Sequence, residues 1–334
     1  MNIGNLGERA LIERIRRRLD AAGEPGEGVL VGIGDDAAAI TLPQDRVLLA
    51  TTDMLVEEVD FRRSYASPRE IGWKALAVNL SDIAAMGGIP RYALVSLGLP
   101  EATTIEEVEE LYEGLSTLAK IHRVHVIGGD TGAAPALTLS ITVIGEVEPL
   151  RLVRRSGARV GDAFAVTGSL GASAAGLAML NQGKGDLDEW KPLTHAHLMP
   201  TPRIMEGAAL ARLGVHAMID LSDGLATDLG HICRASGVGA RLWLPRLPIS
   251  EGANRAAAAL GLDPWRLAVS GGEDFELLFA LPARDVTACF VELERETGTK
   301  ATVIGEVVTA PDLVFLDEDG RPVPVGAGFE HFTR

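Results

Sequence analysis

The sequence predicts an α/β protein of two domains, and three observations lead there. The chain has 334 residues, a length that as a soft prior corresponds to about two domains. Strand-like and helix-like apolar segments alternate along most of it. An Arg-rich, Gly-containing stretch at 150–162 interrupts that alternation midway, so domains of 1–149 and 150–334 are expected. Apolar residues make up 47% of the chain but aromatics only 4%, which predicts an aliphatic core that folds without disulfide staples.

The elements follow in order. Leu11, Ile12, Ile15 and Leu19 recur at helical spacing with Arg16, Arg17 and Arg18 between them, the pattern of a packed amphipathic helix over 6–19. Residues 47–52 are aliphatic and β-branched and read as a buried strand leading into Asp53. Ser67-Pro68-Arg69-Glu70 supplies an N-cap, a first-turn proline and a Glu three residues after the cap. It opens a helix over 71–86, closed by Gly87-Gly88. A helix over 105–120, a strand over 124–127, a Gly128-Gly129-Asp130 loop and an alternating strand over 137–147 complete the first domain. The second has strands over 163–166, 216–219, 275–281 and 302–307, and helices from 172, over 225–236 and over 284–297. Residues 182–191 are polar and read as a loop. Residues 142–147 recur letter for letter at 302–307, and Leu80-Ser81-Asp82 recurs as Leu221-Ser222-Asp223, a weak hint of similarly built halves.

Charge narrows the partners. A formal net charge of −15, from 46 acidic against 31 basic residues, argues against nucleic acid or an anionic membrane. A phosphate substrate stays compatible, because a bound divalent cation reverses the local sign. No run approaches the roughly 20 apolar residues of a membrane span, and the N-terminus lacks a signal peptide's apolar core. Cys233 and Cys289 sit in apolar helical patterns without ligand spacing and read as reduced core thiols. A cytoplasmic protein is expected.

The chemistry lies in carboxylates at the ends of apolar segments, often beside glycine: Asp35-Asp36, Asp53, Asp130, Asp220, Asp223 and Glu273-Asp274. Glycine lets backbone, ligand and metal approach closely, and carboxylate oxygens suit a hard cation. Asp82 stands out, since within 71–86 only it and Lys74 are charged, and an ionised carboxylate in an apolar helix needs a cation, a basic partner or water. For any one of these acids a turn or cap role is the commoner outcome, and Asp223 could cap the helix at 225. Several together make the cation reading stronger. Thr167-Gly168-Ser169-Leu170-Gly171 resembles a phosphate-cradling turn, yet it lacks the lysine of a P-loop, so a packing turn is favoured. The pairs His122/His125 and His195/His197 lack the further ligands zinc requires.

The ordered series Gly32-Ile-Gly-Asp-Asp-Ala37, Thr51-Thr-Asp53, Lys74-Ala-Leu-Ala-Val-Asn-Leu-Ser-Asp82, Ile127-Gly-Gly-Asp-Thr131, Ile219-Asp-Leu-Ser-Asp-Gly-Leu225 and Ser270-Gly-Gly-Glu-Asp-Phe-Glu276 resembles the motifs of the thiamine-monophosphate kinase family. The series spans nearly the whole chain and ends with Gly328-Phe-Glu-His-Phe332. The resemblance implies a two-domain aminoimidazole ribonucleotide synthetase-like fold, α/β (α+β), of mixed sheets flanked by helices. It further implies a homodimer joined through the N-terminal sheets, several Mg2+ ions and ATP as co-substrate. Carried over, the metal ligands are Asp36, Thr51, Thr52, Asp53, Asp82, Asp130, Asp220 and Asp223. Gly129, Asp130, Arg155, Ser222 and Tyr112 fall at ATP-binding positions, and Asp60, Glu273 and Phe329 at substrate positions. The family commonly has His where this chain has Asp60. The implied reaction is direct phosphoryl transfer from Mg-ATP to thiamine monophosphate, giving thiamine diphosphate and ADP, with no general base assigned.

Two other readings compete. An amide- or amidine-activating synthetase of the same superfamily should show sugar-phosphate contacts, which are not identified here. A non-enzymatic divalent-cation protein predicts metal affinity without nucleotide affinity.

Overall fold

The computed structural model describes residues 8–20, 28–31, 39–41 and 43–326. These divide into two compact units: Met1–Ile83 with Gly88–Pro149, and Ala84–Gly87 with Leu150–Arg334.

The first unit is built on a four-stranded sheet in the order β3-β6-β4-β5. Helix α1 (Glu8–Asp20) and the short hairpin β1 (Val29–Val31) and β2 (Ala39–Ile40) precede β3 (Val47–Val56). Helix α2 (Pro68–Ala85) starts where the sequence places its cap. The Glu70 N–H donates to Ser67 Oγ at 3.3 Å and the Ser67 N–H donates to Glu70 Oε2 at 2.8 Å, a reciprocal capping box. Gly87 and Gly88 end it by donating to the carbonyls of Ala84 and Ile83. Strand β4 (Ile89–Leu99), helix α3 (Ile105–His122), β5 (His125–Ala133) and β6 (Thr138–Val147) follow. Helices α2 and α3 cross at reciprocal glycines. A Cβ on Gly72 would lie 1.9 Å from Leu111 O, and one on Gly114 would lie 1.8 Å from Arg69 O. Only glycine permits that approach, and it fixes how α2 lies.

Strand β3 pairs antiparallel with β6 over ten residues, from Val47 opposite Val147 to Val56 opposite Thr138. Its side chains alternate in burial. Leu49 and Leu55 are buried, whereas Leu48 is 47% and Met54 60% exposed. One sheet face therefore packs inward and the other is left open.

Two sequence expectations change here. Residues 128–130 are not a loop but the middle of β5, paired in parallel with Leu94, Val95 and Ser96 of β4. Strand β4 itself was not anticipated, because Pro90, Arg91 and Gly98 break its apolar pattern.

The second unit has a seven-stranded sheet in the order β13-β12-β9-β11-β7-β10-β8. Its elements are β7 (Asp162–Thr167), α4 (Ala172–Asn181), α5 (Lys191–Leu198), α6 (Ile204–Leu213), β8 (Ala217–Asp220), α7 (Leu225–Ser236) and β9 (Gly239–Trp243), then α8 (Glu251–Leu260), α9 (Pro264–Ser270), β10 (Leu277–Pro282), α10 (Val286–Thr297), β11 (Ala301–Val308), β12 (Leu313–Leu316) and β13 (Pro322–Val323). Neighbours are antiparallel except β12 and β9, which run parallel. The inner strand β7 and the edge strand β8 are both buried at every position, the signature of a sheet covered on both faces.

The core is mainly aliphatic, as expected, with Phe164, Phe279 and Phe315 among its largest fully buried side chains. The few aromatics are concentrated inside. Cys233 and Cys289 are free and buried, as expected, and burial pushes both thiols up to about 11. The repeated hexapeptide forms inner strands of both sheets, β6 and β11. The shorter echo is not structural, because Leu80-Ser81-Asp82 is helical and Leu221-Ser222-Asp223 is a loop.

Candidate active site

In the first unit the period of two along β3 decides which side chains can cooperate. Thr51 and Asp53 share the inward face with α2, and Thr52 points to the open face. Thr51 Oγ1 donates to Asp82 Oδ2 at 2.5 Å, and the Asp53 N–H donates to Asn79 Oδ1 at 3.0 Å. Asn79 is fully buried, and its amide also donates to Ala75 O at 3.0 Å. Asn79 thereby ties the strand to the helix beside the two carboxylates. The Thr52 hydroxyl meets Ser140 and Thr142 of β6 instead, at 3.5 and 3.2 Å. Thr51, Asp53 and Asp82 form one group, and the Thr52 side chain is not part of it.

Asp130 is exposed on β5, opposite Ser96. Three strand spacings separate β5 from β3, roughly 14 Å, so Asp130 and Asp53 of one chain are too far apart to share an ion. Gly129 beside it has φ +156°, and a Cβ there would stand 1.9 Å from Val95 O. Asp60 Oδ2 accepts from the Val56 N–H at 2.8 Å, which closes the turn after β3. Tyr112 is 4% exposed on the inner face of α3, and burial pushes its phenol well above the usual range.

In the second unit, β8 delivers Asp220 almost completely buried at its end, opposite Leu277 of β10. The loops after β8 and before β10 are laced together. The Leu221 N–H donates to Glu276 O, the Phe275 N–H to Leu221 O, and the Glu273 N–H to Ser222 O, at 2.8 to 2.9 Å. Glu273 and Phe275 adopt φ of 64° and 50°, left-handed conformations that cost non-glycine residues on the order of 1–3 kcal/mol each and persist only where surroundings enforce them.

The sequence missed Asp228, in the first turn of α7. Its carboxylate accepts the N–H groups of Asp223 and Gly224, both at 3.1 Å, and so holds the loop in front of the helix; the N-cap is Gly224 and no side chain, Asp223 included, caps it. Burial, then Asp220 and Asp223, push its carboxyl up to about 8. Asp223, Asp228 and His231 offer ligand atoms all within 4.8 Å of one another. Burial first, then the Arg234 and Arg155 guanidinium groups, lower the His231 imidazole. Arg155 is itself exposed. The local signal for this trio was an acid in a helix's first turn with a histidine three residues on.

The turn at 168–171 holds no ligand cradle. Asp274 accepts the N–H groups of Gly171 at 2.7 Å and Ser173 at 3.2 Å, so the chain's own carboxylate fills that helix N-terminus. Burial pushes Asp274 up to about 7 against the pull of those amides. Next to it, Glu276 takes a bidentate pair from Arg203 at 2.6 and 2.8 Å and the Thr167 hydroxyl at 2.6 Å. This buried network braces the loop from β7, α6 and β10.

Residues 34–147 match the family model described as AIR synthase related protein, N-terminal domain, and residues 159–318 match its C-terminal domain counterpart. Thiamine-monophosphate kinase of Escherichia coli (strain K12) is 39% identical over 324 residues, 96% of this chain and 97% of its own length. The chain belongs to the thiamine-monophosphate kinase family. The kinase of that name from Bacillus subtilis (strain 168) is 42% identical over 259 residues, 74% of this chain and 76% of its own. A crystal structure of thiamine-monophosphate kinase from Stenotrophomonas maltophilia K279a matches with a TM-score of 0.84 at 36% identity, covering 95% of this chain and 98% of that one. A structure described as AaThiL complexed with AMPPCP and TMP matches at 0.77 and 34%, covering 99% of each. The aminoimidazole ribonucleotide synthetase-like fold expected from the sequence is borne out. Of the positions that the thiamine-monophosphate kinase family motifs single out, Asp36 and Phe329 lie outside the described residues.

Proposed function

We propose that this chain is a thiamine-monophosphate kinase that transfers a phosphoryl group from Mg-ATP directly to thiamine monophosphate, giving thiamine diphosphate and ADP. The observation that carries the reading is the match of both domains, nearly end to end, to kinases of that name. The neighbour solved with AMPPCP and TMP supports ATP and thiamine monophosphate as the ligands.

The donor set fits magnesium. Thr51, Asp53 and Asp82 offer only oxygen, the preference of a hard cation. Burial first, then the neighbouring Asp220 and Asp223 carboxylates, make Asp228 resist ionising, and a divalent cation would offset both. Asp130, Asp36 and the backbone of Thr52 are further candidates. Bound at these groups, magnesium would neutralise the phosphates and let two polyanions meet.

The chain's own residues then bind and orient. Arg155, an exposed guanidinium near His231, presents a fork suited to a phosphate. By the family resemblance Gly129, in the first unit, and Ser222, in the second, each stand at nucleotide-binding positions, as does the buried Tyr112. Glu273 faces the cationic substrate, with Asp60 at the turn after β3. No residue has to remove a proton from the acceptor, because a phosphate monoester loses its second proton near about pH 6. The carboxylates act through the metals rather than as acids or bases.

The open sheet face supports a homodimer. Leu48, Met54 and Ile89 are 47%, 60% and 45% exposed on that sheet, and a second copy would cover it. Among the described residues no helix is long and apolar enough to cross a membrane, and the buried free thiols fit a reducing cytoplasm.

Purified protein should release ADP from ATP only when Mg2+ and thiamine monophosphate are both present. ADP release indifferent to thiamine monophosphate would overturn the reading in favour of another ATP-dependent superfamily member.

A further inference from the structure

We infer that His197, held by Ser173, is a positioning residue that aims the Glu273 carboxylate at the substrate. The inference rests on the reading of Glu273 as a thiamine contact.

His197 lies in the last turn of α5 and is only 2% exposed, so its ring nitrogens need partners within the protein. Its Nδ1 stands 3.0 Å from Ser173 Oγ, in the first turn of α4, and 3.2 Å from Glu273 Oε2. An ionised carboxylate can only accept, so the contact with Glu273 is attractive only when Nδ1 carries the hydrogen. A lone pair on Nδ1 would instead face the carboxylate's own lone pairs. Glu273 thus sets the tautomer, and the buried imidazole in return sets the carboxylate's direction. Ser173, 1% exposed, has its Oγ 3.0 Å from the same nitrogen, so with the hydrogen on Nδ1 the hydroxyl oxygen accepts as well and the one N–H is shared between hydroxyl and carboxylate.

The backbone points the same way. Glu273 holds φ 64° while its N–H is fixed to Ser222 O at 2.8 Å. Its neighbour Asp274 is fixed to the amides of Gly171 and Ser173. Consecutive carboxylates of one loop are therefore anchored to the same first turn of α4, Asp274 through the backbone and Glu273 through His197. Asp274 is spent on that anchorage. Glu273 keeps 28% of its side chain exposed and can still meet a ligand. A cationic, donor-bearing heteroaromatic ring is the chemistry such an oriented carboxylate selects.

The test is steady-state kinetics of the full chain with Mg-ATP, comparing His197→Leu, His197→Asn, Glu273→Gln and the double variant His197→Leu/Glu273→Gln. His197→Leu should raise KM for thiamine monophosphate about tenfold, the scale of one charge-assisted hydrogen bond lost, while kcat and KM for ATP change less than about twofold on the same scale. Asparagine presents an N–H near the Nδ1 position, so His197→Asn should restore most of the affinity. The double variant should be no worse than Glu273→Gln, since His197 works through Glu273. A folded His197→Leu with unchanged KM for thiamine monophosphate, beside a Glu273→Gln that raises it, would overturn the inference alone. Additive effects in the double variant would overturn it too. A Glu273→Gln without effect on that KM would overturn the underlying reading of Glu273 and the inference with it. Should His197→Leu fail to fold, His197→Gln replaces it, with its N–H near Nε2; equal KM values for His197→Asn and His197→Gln would then refute the role of Nδ1.

Discussion

Replacing Asp82 with asparagine separates the folding role of this side chain from its role in catalysis. In the folded chain Asp82 Oδ2 accepts the Thr51 hydroxyl at 2.5 Å. Asparagine keeps an oxygen for that bond and loses only its charge assistance, a cost of about 1 kcal/mol. For a domain of this size that is about 2–4 °C in melting temperature. The effect on the reaction should be far larger, because an amide oxygen is a poor substitute for a carboxylate on a hard cation. Removing one preorganised electrostatic group lowers turnover by about 100-fold or more. The assay is thiamine diphosphate formation at saturating ATP across a magnesium titration, with a thermal melt of the same protein. Extra magnesium should rescue Asp82→Asn only in part. Retention of more than half the parent's turnover at low magnesium would show that Asp82 is not a ligand, and a melt lowered far beyond the expected few degrees would make its role structural.

Glu276→Gln should break the pair with Arg203 and cost about 3 kcal/mol, the low end for a broken buried pair because Arg203 keeps 23% exposure. That is roughly 6–12 °C in melting temperature, and a chemical denaturation curve within about 0.5 kcal/mol of the parent would refute it. Gly129→Ala would drive a Cβ to 1.9 Å from Val95 O, so β5 must move off β4. Overpacking of this kind costs about 1–3 kcal/mol, and calorimetry should show weakened Mg-ATP binding; unchanged stability and affinity would contradict the close approach. Direct transfer predicts inversion at phosphorus with chiral γ-thiophosphate ATP and no phosphorylated protein, and net retention would rule it out.

The sequence made visible what is encoded locally. The capping box at Ser67 and Glu70 announced α2, which begins at Pro68, three residues before the expected start, and ends at Ala85, one before the expected end; period-two alternation announced β6. Strand β5 was mistaken at Gly128-Gly129 because glycines read as a loop until a neighbouring backbone is known to need their lack of Cβ. Helices α8 and α9 were not anticipated: the buried face of α8 is built of alanines, Ala253, Ala256 and Ala257, and α9 is a Pro-led helix of only seven residues. The strand-end acids were legible as a chemical class, but which face each occupies was not. Once β3 is seen to run to Val56, the separation of Thr52 from Thr51 and Asp53 follows from the pleat. Asn79 lies one helical turn before Asp82 and His197 was visible as half of a histidine pair, but their roles emerge only from partners on other elements, Asp53 and Glu273. Asp274 shows the converse, a carboxylate read as a candidate for chemistry that fills the N-terminus of α4 instead.

The central claim is tested most directly by incubating the purified chain with ATP, Mg2+ and thiamine monophosphate and separating the products by chromatography. Thiamine diphosphate should appear in equal amount to ADP, with no inorganic phosphate released and no product when magnesium is chelated. ATP consumed to ADP and inorganic phosphate while thiamine monophosphate is recovered unchanged would contradict the account.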